Sequence, residues 1–488
     1  MKVFGVLALF AFAVLGAAAV WMGGLNQDEG WYLYAAQLVS EGKVPYRDFF
    51  YTQGPLLPVV YSSFVWIWRT WGLLGARILT LSIGACGLAF AIALARRLVS
   101  PERRTAAGLI VFMALGNNLY HLYYQAIPKT YALAALFVMM GFYLLSVALE
   151  GRSWIALAAA FSLAFAAGTR ISLGALLVVV GLGLVFSRQW RPLIWFAVGG
   201  SLGLALVYGP FLLDQRALEG LMAAQRYHTA RGGFDVVWTV GSFSRLVRWY
   251  LPIFVLVGLW FLSPAVSRAD QGRRLVPNLA LAGFLLVFAV QMLAPFPYED
   301  YQVPVMGLLA VFAAVSTVAR VPDAAHLKAK VLLVLGMTWA CSFGSPLLEK
   351  WSTNGQDRFW SLKKDRFELA QLREVARQIE AVDPGGTELL TQDLYLAVET
   401  GRRVPAGLEM GPFAMLTDAE WRTLLHAAPV NIAALSGYSF AINPPRCDER
   451  PMSEQMEYWN ILKRNYNLVL KEENFGQNQT TLLVLKRK

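Results

Sequence analysis

The chain has 488 residues, of which 57% are hydrophobic and 15% are charged. A soluble chain of this length needs more charge to cover its surface, so the composition excludes a soluble globular enzyme and favours a membrane protein. The formal net charge of +11 does not indicate nucleic-acid binding, because the basic residues lie between apolar stretches, where they set membrane topology.

Apolar stretches of membrane-spanning length recur along residues 1–345. Since about twenty apolar residues cross a bilayer as a helix, the sequence predicts about eleven spans. They lie near residues 3–22, 74–98, 105–121, 129–149, 154–169, 171–187, 193–212, 250–265, 276–295, 301–319 and 329–345. The apolar segment 55–70 is short, begins with prolines and is rich in aromatic residues, which predicts a helix lying on the outer membrane surface.

The basic residues favour one orientation of these spans. With the N-terminus inside the cell, every inner loop carries Arg or Lys, whereas the short outer turns 122–128 and 296–300 carry neither. Cytoplasmic loops of membrane proteins show this excess of positive charge. We therefore expect a multi-pass protein of the cell membrane, with a cytoplasmic N-terminus and an extracytoplasmic C-terminal part.

The composition changes sharply near residue 346. The rest of the chain alternates between helical and strand patterns, which predicts a small α/β domain. Helices are predicted at 363–382, 418–426 and 453–465, a turn at 383–386, and strands at 388–391, 430–435, 467–471 and 480–486. The predicted fold is a mainly α, polytopic transmembrane helical bundle (1–345) followed by a soluble extracytoplasmic α/β domain (346–488).

The first outer loop contains an acidic pair, Asp28 and Glu29, directly after the first span. One interpretation is structural, because Asp28 could cap a short helix that carries Glu29 in its first turn. The functional interpretation makes Asp28 a general base, since a carboxylate within hydrogen-bond reach can take a proton from an attacking group. A second acid, Asp48, follows in the same loop and could instead pair with Arg47.

Three cations lie at predicted outer ends of spans. Arg77 begins the second span, Lys129 begins the fourth, and Arg170 lies in the turn after the fifth. A charge close to hydrocarbon is unfavourable and usually has a partner or a task. These side chains could reach to lipid headgroups, or they could converge on the phosphate of a lipid-linked substrate and stabilise it as a leaving group.

The turn at residues 295–304 brings aromatic and acidic side chains to the same outer face: Tyr298, Glu299, Asp300 and Tyr301. Such side chains suit contacts with a sugar or an acceptor. The alternative is that they are interfacial aromatic residues and ordinary loop charges. The sequence contains no HExxH motif, no P-loop and no GxGxxG motif beside a strand, so a cytosolic nucleotide-using enzyme has no support.

The arrangement of the first outer loop resembles a known family. The acidic pair is followed by a G-x-x-P-Y-x-D stretch (Gly42 to Asp48) and a Q-G-P-L segment (Gln53 to Leu56). These features resemble glycosyltransferase family 39 and the aminoarabinose transferases, which have the GT-C fold. The resemblance covers about residues 1–345. It implies an inverting transfer of a sugar from a polyprenyl-phosphate donor to an acceptor on the extracytoplasmic face.

The resemblance also implies roles for individual residues. Asp28 matches the catalytic acid, with Glu29 as its neighbour, and Arg77 matches an arginine that contacts the donor phosphate. Arg170 stands where many members have a lysine, and Lys129 is a third candidate for the phosphate. We expect Asp48 and the 298–301 turn to contact sugar or acceptor.

Alternatives remain open at this point. A transporter or flippase of lipid-linked sugars is the main rival, and a non-catalytic membrane scaffold is a third class. A divalent metal held by Asp28, Glu29 and Asp48 also stays open, because carboxylate oxygens suit such ions. The sequence does not identify the sugar or the acceptor.

Overall fold

The structure is a computed structural model. It describes residues 2–229, 233–262, 275–320, 324–342, 367–413, 416–427, 430–437 and 452–488. Within these ranges the chain is mainly helical, with one small sheet near its C-terminus.

Within the described residues, each of the eleven apolar stretches coincides with one or more helices, which confirms the predicted mainly α, polytopic fold; residues 263–265 and 343–345 of two stretches lie outside the described residues. The helices of this part are α1 (Lys2–Met22), α2 (Gln27–Ser40), α3 (Leu56–Ser62), α4 (Val65–Arg97), α5 (Arg104–Val111), α6 (Leu119–Ala126), α7 (Thr130–Ala148), α8 (Ile155–Thr169), α9 (Ala175–Phe186), α10 (Trp190–Leu212), α11 (Gln215–Thr229), α12 (Val236–Trp249), α13 (Leu251–Leu262), α14 (Leu275–Met292), α15 (Met306–Arg320) and α16 (Ala324–Ser342).

The number of full-length spans differs from the prediction. Among the described residues, six helices are long and apolar enough to cross a membrane, or seven if α12 and α13, which meet at 94°, form one broken span. Helices α8 and α9 have only 15 and 12 residues, fewer than the roughly 20 that cross a bilayer. The apolar stretches of the sequence therefore predicted the positions of the helices better than their lengths.

Two predicted elements are interrupted by local backbone features. The stretch predicted at 105–121 contains a π-helical turn, Phe112–Gly116, and a new helix that begins after Asn118, whose side chain accepts from the backbone N–H of His121. The predicted surface segment 55–70 forms α3 and the first turns of α4. Gly72 (φ 63°, ψ −156°) then interrupts α4 just before the predicted span at 74–98.

Contacts between loops show which helix ends lie together. Arg97, at the end of α4, pairs with Glu150, which follows α7. Arg320, at the end of α15, donates from Nη1 to the carbonyl oxygen of Trp260 at 2.7 Å. The first contact joins two of the predicted inner loops, and the second joins a third inner loop to α13, the helix that precedes another inner loop.

The C-terminal part packs helices against a three-stranded antiparallel sheet. Its elements are α17 (Glu368–Val382), α18 (Leu394–Thr400), α19 (Asp418–Ala427), α20 (Met452–Asn465), β1 (Ile432–Leu435), β2 (Tyr466–Phe475) and β3 (Thr480–Arg487). The strand order is β1-β3-β2. These bounds confirm an α/β arrangement, although the strand predicted at 388–391 forms only isolated bridges and α18 was not predicted.

The buried apolar residues form two clusters. One fills the membrane bundle between α1, α4–α9 and α13–α16. The other is continuous from α2 and the start of α4 into the C-terminal part, where Leu33 and Leu73 share a core with Leu394 and Val484. The C-terminal part is therefore packed directly on the segment that carries the acidic pair.

Candidate active site

Helix α2 begins directly after the first membrane helix because its N-terminus is fully capped. The Asn26 side chain accepts from the backbone N–H of Asp28 at 3.0 Å, and the Glu29 carboxylate accepts from the backbone N–H of Asn26 at 3.0 Å. This reciprocal arrangement is a capping box. The capping residue is Asn26 rather than Asp28, so the side chain of Asp28 is left to point elsewhere.

Glu29 is held in a fully buried ion pair with Arg77. The guanidinium donates from Nη2 to Glu29 Oε1 at 2.6 Å and from Nε to Oε2 at 2.7 Å, and both side chains are 0% exposed. The other Arg77 N–H groups donate to the carbonyl oxygens of Val20, Gly23 and Gly24 at 2.9–3.0 Å. All five N–H donors of Arg77 thus have an acceptor.

This geometry bears on the roles that the resemblance implies for two residues. Every N–H of the Arg77 guanidinium already donates to an acceptor within the protein. The two carboxylate oxygens of Glu29 accept from Arg77 and from the backbone N–H of Asn26. The pair ties the start of α2 to the end of α1 and to α4.

Asp28 points into a second cluster of charges. Its Oδ2 lies 2.8 Å from Nζ of Lys129, and its Oδ1 accepts from the indole N–H of Trp31 at 3.0 Å. Lys129 also lies 3.2 Å from Oδ2 of Asp300, which accepts from the Tyr131 hydroxyl at 2.8 Å. The structure therefore brings together Asp28, Lys129 and Asp300, which are widely separated in the sequence.

The exposure of these side chains is graded. Lys129 and Asp300 are 7% and 11% exposed, whereas Asp28 is 26% exposed. Asp28 is thus the member of the cluster that a substrate can reach most easily. Asp300 accepts from both Lys129 and the hydroxyl of Tyr131.

Arg170 lies beside this cluster. Its guanidinium stacks near the rings of Tyr131 and Tyr301, 5.0 and 4.8 Å from their centroids, and its Nη1 donates to the Thr130 hydroxyl at 3.2 Å. In the described residues it forms no ion pair with a carboxylate, and its buried Nε has no hydrogen-bond partner. A cation held by two aromatic faces therefore has donors available for an anion.

Ionisation of the cluster follows from its contacts. Burial disfavours the charged form of Asp28, but the Lys129 ammonium and the indole N–H of Trp31 outweigh burial and lower the pKa of the Asp28 carboxyl below its ordinary value. Asp28 is therefore charged near neutral pH.

The remaining residues of the 298–301 turn differ in their surroundings. Glu299 pairs with Arg245 of α12, with Nε 3.1 Å from Oε2. Tyr301 faces Arg170, whereas Tyr298 is 41% exposed and its ring packs 5.5 Å from the ring of Trp238. Asp300 and Tyr301 therefore join the site directly, while Glu299 is held by α12 at its edge.

Asp48 does not join the cluster by any contact in the described residues. Its carboxylate accepts from Arg47 and from the backbone N–H of Val44, and Arg47 also lies 3.4 Å from Asp214. Within the described residues, no group of three or more His, Cys, Asp or Glu side chains could hold a metal ion. The metal site considered for Asp28, Glu29 and Asp48 is thus not assembled, since Glu29 points to Arg77.

Some residues of the site were not predicted from the sequence. Trp31 lies one turn after Asp28, and Thr130 and Tyr131 directly follow Lys129. The spacing of three residues between Asp28 and Trp31 places their side chains near each other on a helix, whereas the spacings from Lys129 to Thr130 and Tyr131 do not predict a contact. Arg245, on the amphipathic α12, had no comparable signal.

Known structures of similar fold were found, although no protein-family model and no curated protein matches the chain. ArnT from Cupriavidus metallidurans bound to undecaprenyl phosphate superposes with a TM-score of 0.65 at 14% identity, over 99% of this chain and 97% of ArnT. The apo structure of the same protein gives a TM-score of 0.65 at 16% identity, over 99% and 98%. The chain therefore has the polytopic membrane fold of ArnT, as the resemblance of its first outer loop led us to expect.

Proposed function

We propose that the chain is a membrane glycosyltransferase that moves a sugar from a polyprenyl-phosphate donor to an acceptor, with inversion at the anomeric carbon. The observation that carries this proposal is the juxtaposition of an accessible carboxylate, Asp28, with two cations, Lys129 and Arg170. These side chains meet at the end of the bundle where α1 ends and α7 begins. Such a site holds a base and an anion-binding surface side by side.

The cations support a phosphate-bearing donor. Arg170 is held between two tyrosine rings with donors available, and a guanidinium matches the geometry of phosphate oxygens. Lys129 lies beside it as a second positive charge. One structure of the same fold is bound to undecaprenyl phosphate, a ligand that suits a site at the edge of a membrane bundle.

In the proposed step, an acceptor hydroxyl or amine attacks the anomeric carbon. The bond between that carbon and the phosphate oxygen breaks, and its electron pair stays on the oxygen of the departing polyprenyl phosphate. Arg170 and Lys129 stabilise the charge that develops there. The proton of the acceptor passes to Asp28, which is ionised because Lys129 lowers its pKa.

Asp300 and Tyr301 are proposed to contact the sugar, because both border the cation pair. Glu299 and Tyr298 are proposed to line the outer edge of the same site. Asp48 is proposed to contact only the acceptor, outside the cluster of Asp28 and Lys129, since its carboxylate pairs with Arg47. Arg77 and Glu29 are proposed to position the site rather than to bind substrate.

The charge pattern of the loops supports an extracytoplasmic site. The predicted inner loops are basic, whereas Asp28 lies in the first predicted outer loop. We therefore propose a cytoplasmic N-terminus, a membrane domain of residues 1–345, and an extracytoplasmic C-terminal domain of residues 346–488. A site on that face suits a lipid-borne donor, because nucleotide sugars are confined to the cytosol.

Transfer from a radiolabelled polyprenyl-phosphate sugar by the purified protein in lipid nanodiscs tests the proposal. We expect Asp28→Asn to lower turnover by about 10²–10⁴-fold, the usual contribution of a general base, in a protein that remains folded. Glu150→Gln is the control, because this carboxylate pairs with Arg97 outside the proposed site, and it should keep most of the activity. Normal turnover by a folded Asp28→Asn variant contradicts the role of Asp28, and movement of the intact donor across vesicles without transfer supports a flippase instead.

A further inference from the structure

The C-terminal domain contacts the first turn of α2 next to Asp28. The Gln27 side-chain amide donates to Oδ1 of Asp393 at 2.6 Å, and the Gln27 backbone N–H donates to the Gln477 side-chain oxygen at 2.6 Å. Gln27 and Asp393 are both buried. A neutral amide donating to a buried carboxylate is a strong, charge-assisted hydrogen bond. The residue that precedes Asp28 is thus fixed by the C-terminal domain.

Asp393 is itself held in one orientation. The Tyr395 hydroxyl donates to the same Oδ1 at 2.9 Å and lies 3.3 Å from the Gln27 amide nitrogen. Burial raises the pKa of Asp393 above its ordinary value, while hydrogen bonds from Ser436, Gln27 and Tyr395 favour its charged form. Residues of the C-terminal domain therefore hold the Asp393 carboxylate in the orientation in which it accepts from Gln27 of α2.

The backbones of the two parts touch at Gly30. A Cβ atom at Gly30 would lie 2.2 Å from the backbone nitrogen of Tyr395 and 2.6 Å from the carbonyl carbon of Leu394. Only a glycine allows so close an approach between a helix and another backbone. The first turn of α2 therefore rests directly on the start of α18, with no side chain between them.

The other end of α18 holds the segment that carries Arg77. Glu399 accepts from the backbone N–H of Leu73 at 2.7 Å, directly after the break at Gly72, and pairs with Arg373 at 3.3 Å. A carboxylate at a helix start satisfies a free N–H and complements the helix dipole. Helix α18 thus contacts both α2, which carries Glu29, and α4, which carries Arg77.

We propose that the C-terminal domain is a positioning part of the active site, with Asp393 acting through Gln27 to fix the orientation in which α2 presents Asp28. This inference rests on the proposed glycosyl transfer for its kinetic effect. Asp393 touches no reacting group. It holds the turn from which Asp28 reaches Lys129, and small displacements of a catalytic group have large effects on rate.

Kinetics of the full-length protein in nanodiscs test this role. Asp393→Ala removes the acceptor of the Gln27 amide and should lower kcat by about 10–100-fold, while the donor KM changes little. Asp393→Asn keeps a side-chain oxygen that can accept from Gln27 and should restore most of kcat. Gln27→Ala should resemble Asp393→Ala, and the double variant should be no slower than either single variant, since both remove one interaction.

A matched control separates positioning from domain stability. Asp383 accepts from the buried Arg402 at 2.7 Å within the C-terminal domain, and it contacts no residue of α2 in the described part of the chain. Asp383→Ala should lower thermal stability at least as much as Asp393→Ala while kcat stays near that of the unmodified protein. Equal losses of kcat in the two variants, or no rescue by Asp393→Asn, overturn the proposal.

Hydrogen exchange gives a readout that does not depend on the reaction. Asp393→Ala should speed exchange of the backbone amides of residues 27–31 by about tenfold, the effect of losing a hydrogen bond to a charged group. Asp393→Asn and Asp383→Ala should leave these amides unchanged. If the unmodified protein transfers no sugar, the proposed function fails, and unchanged exchange in Asp393→Ala overturns the present inference separately.

Discussion

The Nζ atom of Lys129 lies 2.8 Å from Oδ2 of Asp28, so the two residues that the sequence suggested for separate tasks form one ion pair. The sequence assigned Asp28 to the acceptor and Lys129 to the donor phosphate. Their contact means that the charge of each depends on the other. In the proposed reaction, the donor phosphate would compete with Asp28 for Lys129, which would link donor binding to the basicity of the Asp28 carboxylate.

The ion pair predicts the pH dependence of turnover. Lys129 lowers the pKa of Asp28, so the carboxylate stays ionised on acidification until the pH falls below the ordinary value of 3.8. Removal of the ammonium in Lys129→Met should raise the pKa of Asp28 and move the acid limb of kcat to higher pH. The shape of the residual pH profile tests this, and an unmoved limb contradicts the coupling.

The same contact has a sign for stability. A carboxylate with a lowered pKa in the folded protein contributes stability above its unfolded pKa and loses that contribution as the pH falls through the folded value. The thermal stability of the unmodified protein should therefore decrease on acidification below about pH 4. The same loss should be smaller in Asp28→Asn, which has no proton to bind at this position.

Arg170 should determine donor affinity. Arg170→Lys keeps the charge but loses the planar guanidinium that stacks on Tyr131 and Tyr301. The donor KM should rise by about tenfold, as expected for loss of a hydrogen bond to a charged group, with a smaller change in kcat. Arg47→Lys is the control, because Arg47 is exposed and pairs with Asp48 and Asp214. An unchanged KM in Arg170→Lys removes Arg170 from the phosphate site.

Loss of the Glu29–Arg77 pair should lower the free energy of unfolding of the protein. Glu29→Leu leaves the Arg77 charge buried without its carboxylate, which costs about 3–5 kcal/mol for a buried pair. Adding Arg77→Leu should recover part of the loss, because no unpaired charge remains, although three backbone carbonyls lose their donors. Unfolding in detergent measures both variants, and an additive double variant contradicts the pairing.

Gly72 offers a test of the contact between the domains. Its φ of 63° disfavours any side chain, and a Cβ atom there would lie 2.3 Å from the Glu399 carboxylate. Gly42 has a φ of 84° but nothing within 4 Å of its Cβ position. Gly42→Ala should therefore cost only backbone strain, about 1–2 kcal/mol, whereas Gly72→Ala should destabilise more. Equal losses indicate that Glu399 can move aside freely.

Much of the fold could be predicted because helix formation follows local apolar pattern. The stretches at 3–22 and 129–149 match α1 and α7 within two residues at each end. The break at Gly72 and the π-helical turn at Phe112–Gly116 were not predictable, since both depend on neighbours that pack against the helix. Helix α18 was missed because its seven residues are too short to show a clear period.

The site was predicted in part. The sequence correctly singled out residues that meet, such as Asp28, Lys129 and Asp300, because charges at helix ends near a bilayer are rare and need partners. It did not show which partner each would take. Arg77 and Arg170 look alike in the sequence, yet one has every donor occupied and the other does not, a difference set by tertiary contacts.

Asp28 and Glu29 are neighbours in the sequence but contact different partners. We therefore expect the two positions to vary independently of each other among related sequences. A change at position 29 should be accompanied by a change at position 77, since each is the other's counter-ion and both side chains are fully buried. A change at position 28 should instead follow the chemistry of the acceptor. An acidic dipeptide is therefore a poor search pattern, and covariation of 29 with 77 together with a lysine at 129 is the better signature of this architecture.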